Sequence, residues 1–202
     1  MNLFDDKAAA WDTPVHVERA TAIAAAIRRA VPLGQGATVL EFGAGTGLLG
    51  RALTHHCASV TLADTSTGML EVATSAAESV GATNIRVMRF DFTADPVPSD
   101  RFDLIVSVMA MHHILDTEAA LIRMAAMLAP GGWIAIADLD AEDGTYHVDP
   151  VERALVLPGY DRGILAASAE AAGFRTVGFS TVWEIPKNGR LYSLFLLTAQ
   201  LS

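Results

Sequence analysis

One cysteine in 202 residues, Cys57, leaves no partner for an internal disulfide, and nothing points to an oxidising compartment. Basic residues are scarce as well: 14 Lys and Arg stand against 23 Asp and Glu, a formal net charge of −9. Proteins that grip nucleic-acid phosphates usually show a basic face, so this balance argues against a nucleic-acid substrate. Hydrophobic residues make up 51% of the chain, yet no apolar run reaches the roughly 18 residues of a membrane span, and no membrane insertion is expected. The opening Met1-Asn2-Leu3-Phe4-Asp5-Asp6 is acidic and lacks the basic-then-apolar order of a signal peptide. Metal ligands at useful spacing are missing too. In His55-His56-Cys57 the adjacent histidines would face different sides of a helix with no carboxylate beside them. Basic side chains at a helix C-terminus account for that pair, and no metal is expected. What remains is a cytoplasmic, enzyme-like chain, long enough for a full core and read as one domain over residues 1–202.

The rest is organised around Val39-Leu40-Glu41-Phe42-Gly43-Ala44-Gly45-Thr46-Gly47-Leu48-Leu49-Gly50. Val39 to Phe42 read as a short buried strand, the glycines turn the chain, and Leu48 to Leu53 begin an apolar helical pattern. Such a turn lets a ligand lie against bare backbone, before the first unpaired N–H groups of a helix. A dinucleotide fingerprint wants Gly-x-Gly-x-x-Gly directly after the strand. Here Gly43, Gly45 and Gly47 give Gly-x-Gly-x-Gly, and the formal match at Gly45, Gly47 and Gly50 starts two residues late. Glu41 at the strand end would repel a pyrophosphate and suit a ligand bringing positive charge, such as an ammonium or a sulfonium.

In chain order, residues 1–34 read as an arm with two aromatics, Phe4 and Trp11, followed by a helix from Val15 to Val31 capped by Thr13 and Pro14 and ended by Pro32-Leu33-Gly34. Apolar Val15, Val17, Ala20, Ile23, Ala24, Ile27 and Val31 form its inward stripe. After the glycine turn a helix runs to about His55, and strand Val60 to Ala63 delivers Asp64, 17 residues beyond Gly47. That offset is close to the roughly 20 residues at which a carboxylate meets the two hydroxyls of a ribose, whichever nucleoside carries it. Its loss is expected to weaken cofactor binding at least tenfold and leave the melting temperature of the free protein nearly unchanged. Thr65-Ser66-Thr67 caps the next helix, with Met69 one turn in. Strand Ile85 to Phe90 delivers Asp91-Phe92, which fits an adenine pocket: the carboxylate accepts from the exocyclic amine and the ring lines the base. Phe102 to Met109 is an apolar fourth strand of the kind found in parallel sheets covered on both faces. Ala110-Met111-His112-His113 follows, then a helix from Asp116 or Thr117 to Leu128, a sharp turn at Leu128-Ala129-Pro130-Gly131-Gly132, and a fifth strand from Trp133 to Asp138. Residues 139–160 lack regular pattern and lie at the carboxyl edge, where ligands sit in open α/β sheets, so they read as a substrate-side loop insertion. A helix from Arg162 to Ala172 closes at Gly173, and strands Phe174 to Ile185 and Leu191 to Ala199 form a hairpin through Pro186-Lys187-Asn188-Gly189-Arg190.

The phrase Glu41-x-Gly43-x-Gly45-x-Gly47, with Phe102-Asp103-Leu104-Ile105, the His112-His113 pair and Leu128-Ala129-Pro130-Gly131-Gly132, resembles the class I S-adenosylmethionine-dependent methyltransferases. Within them the chain resembles the type 11 group of ubiquinone/menaquinone C-methyltransferases. The resemblance implies a Rossmann-like, doubly wound α/β sheet of seven strands, mostly parallel, with an antiparallel C-terminal hairpin strand. It implies S-adenosyl-L-methionine as cofactor, and cofactor contacts from Trp11, Glu41, Gly43, Ala44, Gly45, Gly47, Asp64, Thr65, Met69, Asp91, Phe92, Ser107 and Met109. In similar proteins an opening like Phe4-Asp5…Trp11-Asp12 closes over the cofactor; simple packing of the arm is the alternative. Met69 is either core or a wall against the adenine.

In that cofactor the sulfur is already cationic, so the protein must mainly hold a nucleophile in line with the methyl group. A base is needed only for a poorly acidic acceptor. Candidates follow strands four and five: His112, His113, Asp138, Tyr146 and His147; a histidine can act near neutrality, and His147 is placed first for contact with the substrate. One of His112 and His113 can equally be structural, and Asp138 a loop cap. The chain lacks the Asn/Asp-Pro-Pro-Tyr/Phe phrase of amino-methyltransferases acting on nucleic acids and glutamine, and shows no divalent-metal trio of the catechol type. A small-molecule methyl acceptor is therefore expected. The alternatives are a non-catalytic S-adenosylmethionine-binding domain and an NAD(P)-dependent oxidoreductase.

Overall fold

A computed structural model describes residues 4–202, so the first three residues of the expected arm lie outside the described residues. Pleating of β1 (Thr38–Phe42) sends Val39 and Glu41 to one face and Leu40 and Phe42 to the other, and all four are buried. A strand with no solvent face has to be covered on both sides. Val39 joins a core with Ile23 and Ile27 of α1 (Pro14–Ala30), Leu49 and Leu53 of α2 (Leu48–Leu53) and Ala73 of α3 (Thr67–Ser79). Leu40 and Phe42 join a second core with Leu121 and Met124 of α4 (Thr117–Met127) and Leu165 and Ala169 of α6 (Arg162–Ala171).

Around β1 the sheet has seven strands. On one side lie β2 (Ser59–Asp64) and then β3 (Ile85–Arg89). On the other lie β4 (Phe102–Val108), β5 (Leu128–Leu139), β7 (Arg190–Leu201) and, at the edge, β6 (Phe174–Lys187). Strands β1 to β5 are parallel, and β7 runs antiparallel between β5 and β6. This is the expected Rossmann-like sheet of seven strands, mostly parallel, with an antiparallel strand from the C-terminal hairpin. Strand order reverses between β1 and β4, which opens a crevice at their carboxyl ends. Among the described residues no helix is long and apolar enough to cross a membrane.

Four local expectations need correction. The sharp turn at residues 128–132 is a bulge within β5: Phe102 pairs with Leu128 but Leu104 with Trp133, and Gly131 takes up the extra chain at φ 77°. The hairpin turn is shorter than the Pro186–Arg190 segment. Lys187 pairs with Arg190, and only Asn188 (φ 53°) and Gly189 (φ 72°) turn, the two left-handed residues of a type I′ turn. Pro186 fits inside β6 because that strand is at the edge. Third, the inward stripe of α1 starts at Ala20; Val15 and Val17 are exposed. Finally, residues 139–160 are built rather than irregular. Asp140 bridges Tyr160 at the neck, Arg162 grips both Asp140 oxygens at 2.6 and 2.7 Å, and α5 (Pro150–Arg153) forms behind an Asp149 cap.

Candidate active site

The glycine turn adopts left-handed φ values at Gly43, Gly45 and Gly47. At Gly47 close packing adds to the requirement, since a Cβ there would stand 2.5 Å from Leu62. Glu41 follows from the pleat: its side chain reaches α2, where Oε2 accepts the Gly50 amide at 2.7 Å. Burial, with a smaller contribution from the charge of Asp64, pushes its carboxyl up to about 8. In the free protein near neutrality this group is therefore mostly protonated, a change from the fixed negative charge that the sequence suggests. Asp64 is no solvated strand end. Its Oδ2 accepts the Gly45 amide at 2.7 Å and its Oδ1 the Ser66 amide at 2.8 Å, tying β2 to the glycine turn and to the start of α3. Asp91 folds Oδ1 back on Thr93 and the Ala94 amide, and the Thr93 hydroxyl and amide hold its carboxyl below the usual range. Phe92 stacks on Phe42, ring centroids 4.4 Å apart.

A cavity of about 560 Å³ lies over this surface. Glu41, Gly43, Ala44, Gly45, Asp64 and Thr65 line it, as do Met69, Asp91, Phe92 and Met109. Two expected cofactor residues do not. Gly47 faces Leu62 instead, and Ser107 is wholly buried in β4, its hydroxyl without a hydrogen-bond partner among the described residues. Trp11 reaches the cavity from the arm, which is bound at several points. Asp12 accepts from the Thr46 hydroxyl and pairs with Arg51 at 2.7 Å; Asp5 accepts from the Ser66 hydroxyl at 2.6 Å and the Gly68 amide at 3.1 Å. Phe4 meets Trp11 and His113 edge to face, and Lys7 pairs with Glu152 at 3.2 Å.

At the other end of the cavity stand His112, His113, Tyr146 and His147. Asp138 follows Ile134 and Ile136 along one pleat of β5 and meets His112, with both side chains essentially inaccessible. Its Oδ1 lies 2.7 Å from His112 Nδ1, and its Oδ2 accepts the His112 amide at 3.1 Å. A carboxylate at Nδ1 assigns the proton to that nitrogen, leaving Nε2 to face His147 Nε2 at 3.3 Å. His147 Nδ1 in turn lies 3.7 Å from Glu152 Oε2. A line of polar contacts thus runs from buried Asp138 through His112, His147 and Glu152 to Lys7. Burial, then the neighbouring His112 and His147, lowers His113 to about 4, so that ring is neutral at pH 7; burial and His112 also lower His147, which favours its neutral form.

Residues 15–177 match the family described as methyltransferase domain. The chain belongs to that family. An uncharacterized methyltransferase of Mycobacterium tuberculosis is 30% identical over 141 residues, covering 68% of this chain and 66% of that protein. The chain thus spans just under two thirds of that relative's length. A solved S-adenosylmethionine-dependent methyltransferase from Aquifex aeolicus superposes with a TM-score of 0.74 at 20% identity, covering all of both chains. Phosphoethanolamine N-methyltransferase 2 of Haemonchus contortus, solved with S-adenosyl-L-methionine, gives 0.73 at 18% identity over 89% of this chain and 52% of its own. At such identities the likeness is one of fold alone.

Several cavity residues escape a sequence reading. Glu152 and Lys7 meet only because α5 folds against the arm. Arg19 did leave a signal: it stands on the Arg19, Ile23, Ile27 stripe at helical spacing, a charge on the inward face of α1. Lys187 reads as an ordinary hairpin lysine, yet its Nζ sits 3.9 Å from the centroid of Tyr146. The hairpin tip is held there by Asn188, which donates to the Thr145 carbonyl at 3.1 Å, and by Arg190, which pairs with Asp143 at 2.8 Å.

Proposed function

We propose that this methyltransferase binds S-adenosyl-L-methionine at the glycine turn and transfers its methyl group in line to a small-molecule acceptor held at the histidine end. The observation that carries this is the continuity of one cavity from the strand-end acids Asp64 and Asp91 to the His112–His147 cluster. The donor set fits the cofactor. A carboxylate has about four acceptor directions, and Asp64 uses two of them on backbone amides, which leaves capacity for ribose hydroxyls. A Cβ on Gly45 would stand 3.8 Å from the Met69 sulfur and 3.9 Å from Trp11 Nε1, filling the gap between two cavity walls. The cation beside the turn, Arg51, is paired with Asp12 and so is not free to meet a pyrophosphate there. This favours the sulfonium cofactor over NAD.

The cofactor supplies an already activated methyl group. The chain's own residues bind, orient and exclude water. The arm through Trp11 and the loop over residues 139–160 act as covers that shut solvent out and fix the line of attack. Where the acceptor must lose a proton, neutral His147 takes it at Nδ1, and the charge of Glu152 favours the resulting imidazolium. His112 is a positioning residue, held by Asp138 and aligning His147.

Calorimetric titration with S-adenosylmethionine, S-adenosylhomocysteine and NAD tests the cofactor, with micromolar binding expected for the first two and none for NAD. Tighter binding of NAD than of S-adenosylhomocysteine would overturn it. Labelled methyl transfer into a metabolite extract is expected next. Binding without any transfer would make the chain a non-catalytic binding domain.

A further inference from the structure

At the histidine end of the cavity two cations have no ion-pair partner among the described residues. Three cations line the cavity: Lys7, Arg19 and Lys187. Lys7 is paired with Glu152. Arg19 is half-buried on α1, and among the described residues no carboxylate pairs with it and no hydrogen bond is made by its guanidinium. The group that its charge meets is the Tyr146 phenol, which burial keeps protonated. Lys187 lies over the ring of the same Tyr146 at 3.9 Å. The carboxylates nearest Lys187 are already occupied: Glu142 accepts the Thr145 and Tyr146 amides at 2.7 and 3.1 Å, and Glu152 holds Lys7 and His147. Two cations from elements far apart in sequence therefore converge on one neutral tyrosine. In a chain of net charge −9 with 23 acidic residues, opposite charges are plentiful, yet among the described residues neither cation is paired with one.

A partly desolvated cation without a counter-charge is costly, and burial accordingly depresses the proton affinity of both groups. An anion between them would remove that cost and form charge-assisted hydrogen bonds, with a fork from Arg19 and a point charge from Lys187. The Tyr146 hydroxyl, kept protonated, can donate to the same anion. The other walls combine apolar Ile114, Leu155 and Val156 and the ring of Phe4 with the histidines His112, His113 and His147 and with Glu152, whose carboxylate is held by Lys7.

Resting on the methyltransferase reading above, we infer that the acceptor carries a carboxylate or a phosphate monoester on a compact apolar body, and that Arg19 and Lys187 are the residues that select that anionic group. Neutral and cationic acceptors of the same shape are rejected, because they leave both cations unpaired.

Phenylacetate, phenyl phosphate and the neutral phenylacetamide serve as probes, titrated by calorimetry into protein saturated with S-adenosylhomocysteine. At least one anion is expected to bind at least about tenfold more tightly than the amide, and which one binds identifies carboxylate or phosphate as the group recognised. Lys187→Gln and Arg19→Gln are each expected to weaken anion binding by about tenfold or more, while the amide and the S-adenosylhomocysteine affinity stay as in the parent and the melting temperature does not fall. Lys187 is at the hairpin tip, so its variant tests the idea even if Arg19→Gln folds poorly. Equal binding of amide and anions, absence of anion binding, or anion affinity unmoved in Lys187→Gln would overturn the inference. Should S-adenosylhomocysteine itself fail to bind, the titration is run on the free protein. Anion binding that depends on Lys187 would then uphold this site while refuting the cofactor assignment, and anion binding indifferent to Lys187, or none, would refute both.

Discussion

Replacing Asp64 by Ala tests whether the strand-end carboxylate builds the site as well as serving a ligand. In the free protein its two oxygens accept the Gly45 amide at 2.7 Å and the Ser66 amide at 2.8 Å. Hydrogen bonds to an ionised group contribute about 1.5–3 kcal/mol each. The site is half-buried, so water can reach the freed amides, and the low end applies to both: about 3 kcal/mol together. For a chain of this size each kcal/mol moves the melting temperature by about 2–4 °C, so a fall of roughly 6–12 °C is expected without ligand. This reverses the expectation from sequence that stability would be untouched. Cofactor affinity should fall at least about tenfold, since the ribose acceptor and the geometry of Gly45 are lost together. Scanning calorimetry gives the first quantity. Titration with S-adenosylhomocysteine, at a temperature where the variant is fully folded, gives the second. An unchanged melting temperature would refute the stitching role. An unchanged affinity would refute the ribose contact.

Glu41→Gln probes the buried carboxyl. Because its folded value is raised to about 8, the folded chain keeps a proton that the unfolded chain releases near 4.5, so this group makes stability fall as pH rises through that window and not beyond it. The slope is at most about 1.4 kcal/mol per pH unit; the glutamine variant should gain on the parent steadily between pH 5 and 8, and parallel melting curves would rule this out. Asp12→Ala removes the Arg51 pair and the Thr46 bond that pin the arm. Stability should move by no more than about 1 kcal/mol, whereas stopped-flow dissociation of S-adenosylhomocysteine should speed up by up to about tenfold; an unaltered rate would make the arm mere packing. His147→Ala and Tyr146→Phe should each cut turnover, His147→Ala by roughly a hundredfold where a proton must leave the acceptor, with cofactor affinity intact. Full turnover in both would transfer the acceptor chemistry to His112 and His113.

The sequence by itself determined whatever depends on neighbours in the chain. The apolar run of β1, the glycines that turn after it, the caps at Thr13 and Ser66, and Asn188-Gly189 are local rules of sterics and hydrogen bonding, and they placed the strands and helices in their order. Alternation of strand and helix then left few sheets available, so the carboxyl-edge position of Asp64, Asp91 and the histidines was legible as well. The tertiary structure alone decided which way side chains spend their hydrogen bonds. Glu41 turns to the Gly50 amide and loses its charge near neutrality, Gly47 packs on Leu62, and Ser107 stays buried, because those outcomes depend on what packs across the sheet. The same holds for Arg19 and Lys187, which share Tyr146 although they are far apart in sequence. No local signal pairs them, since burial and Coulomb fields act through space and are fixed only once the sheet has brought distant strands and helices together.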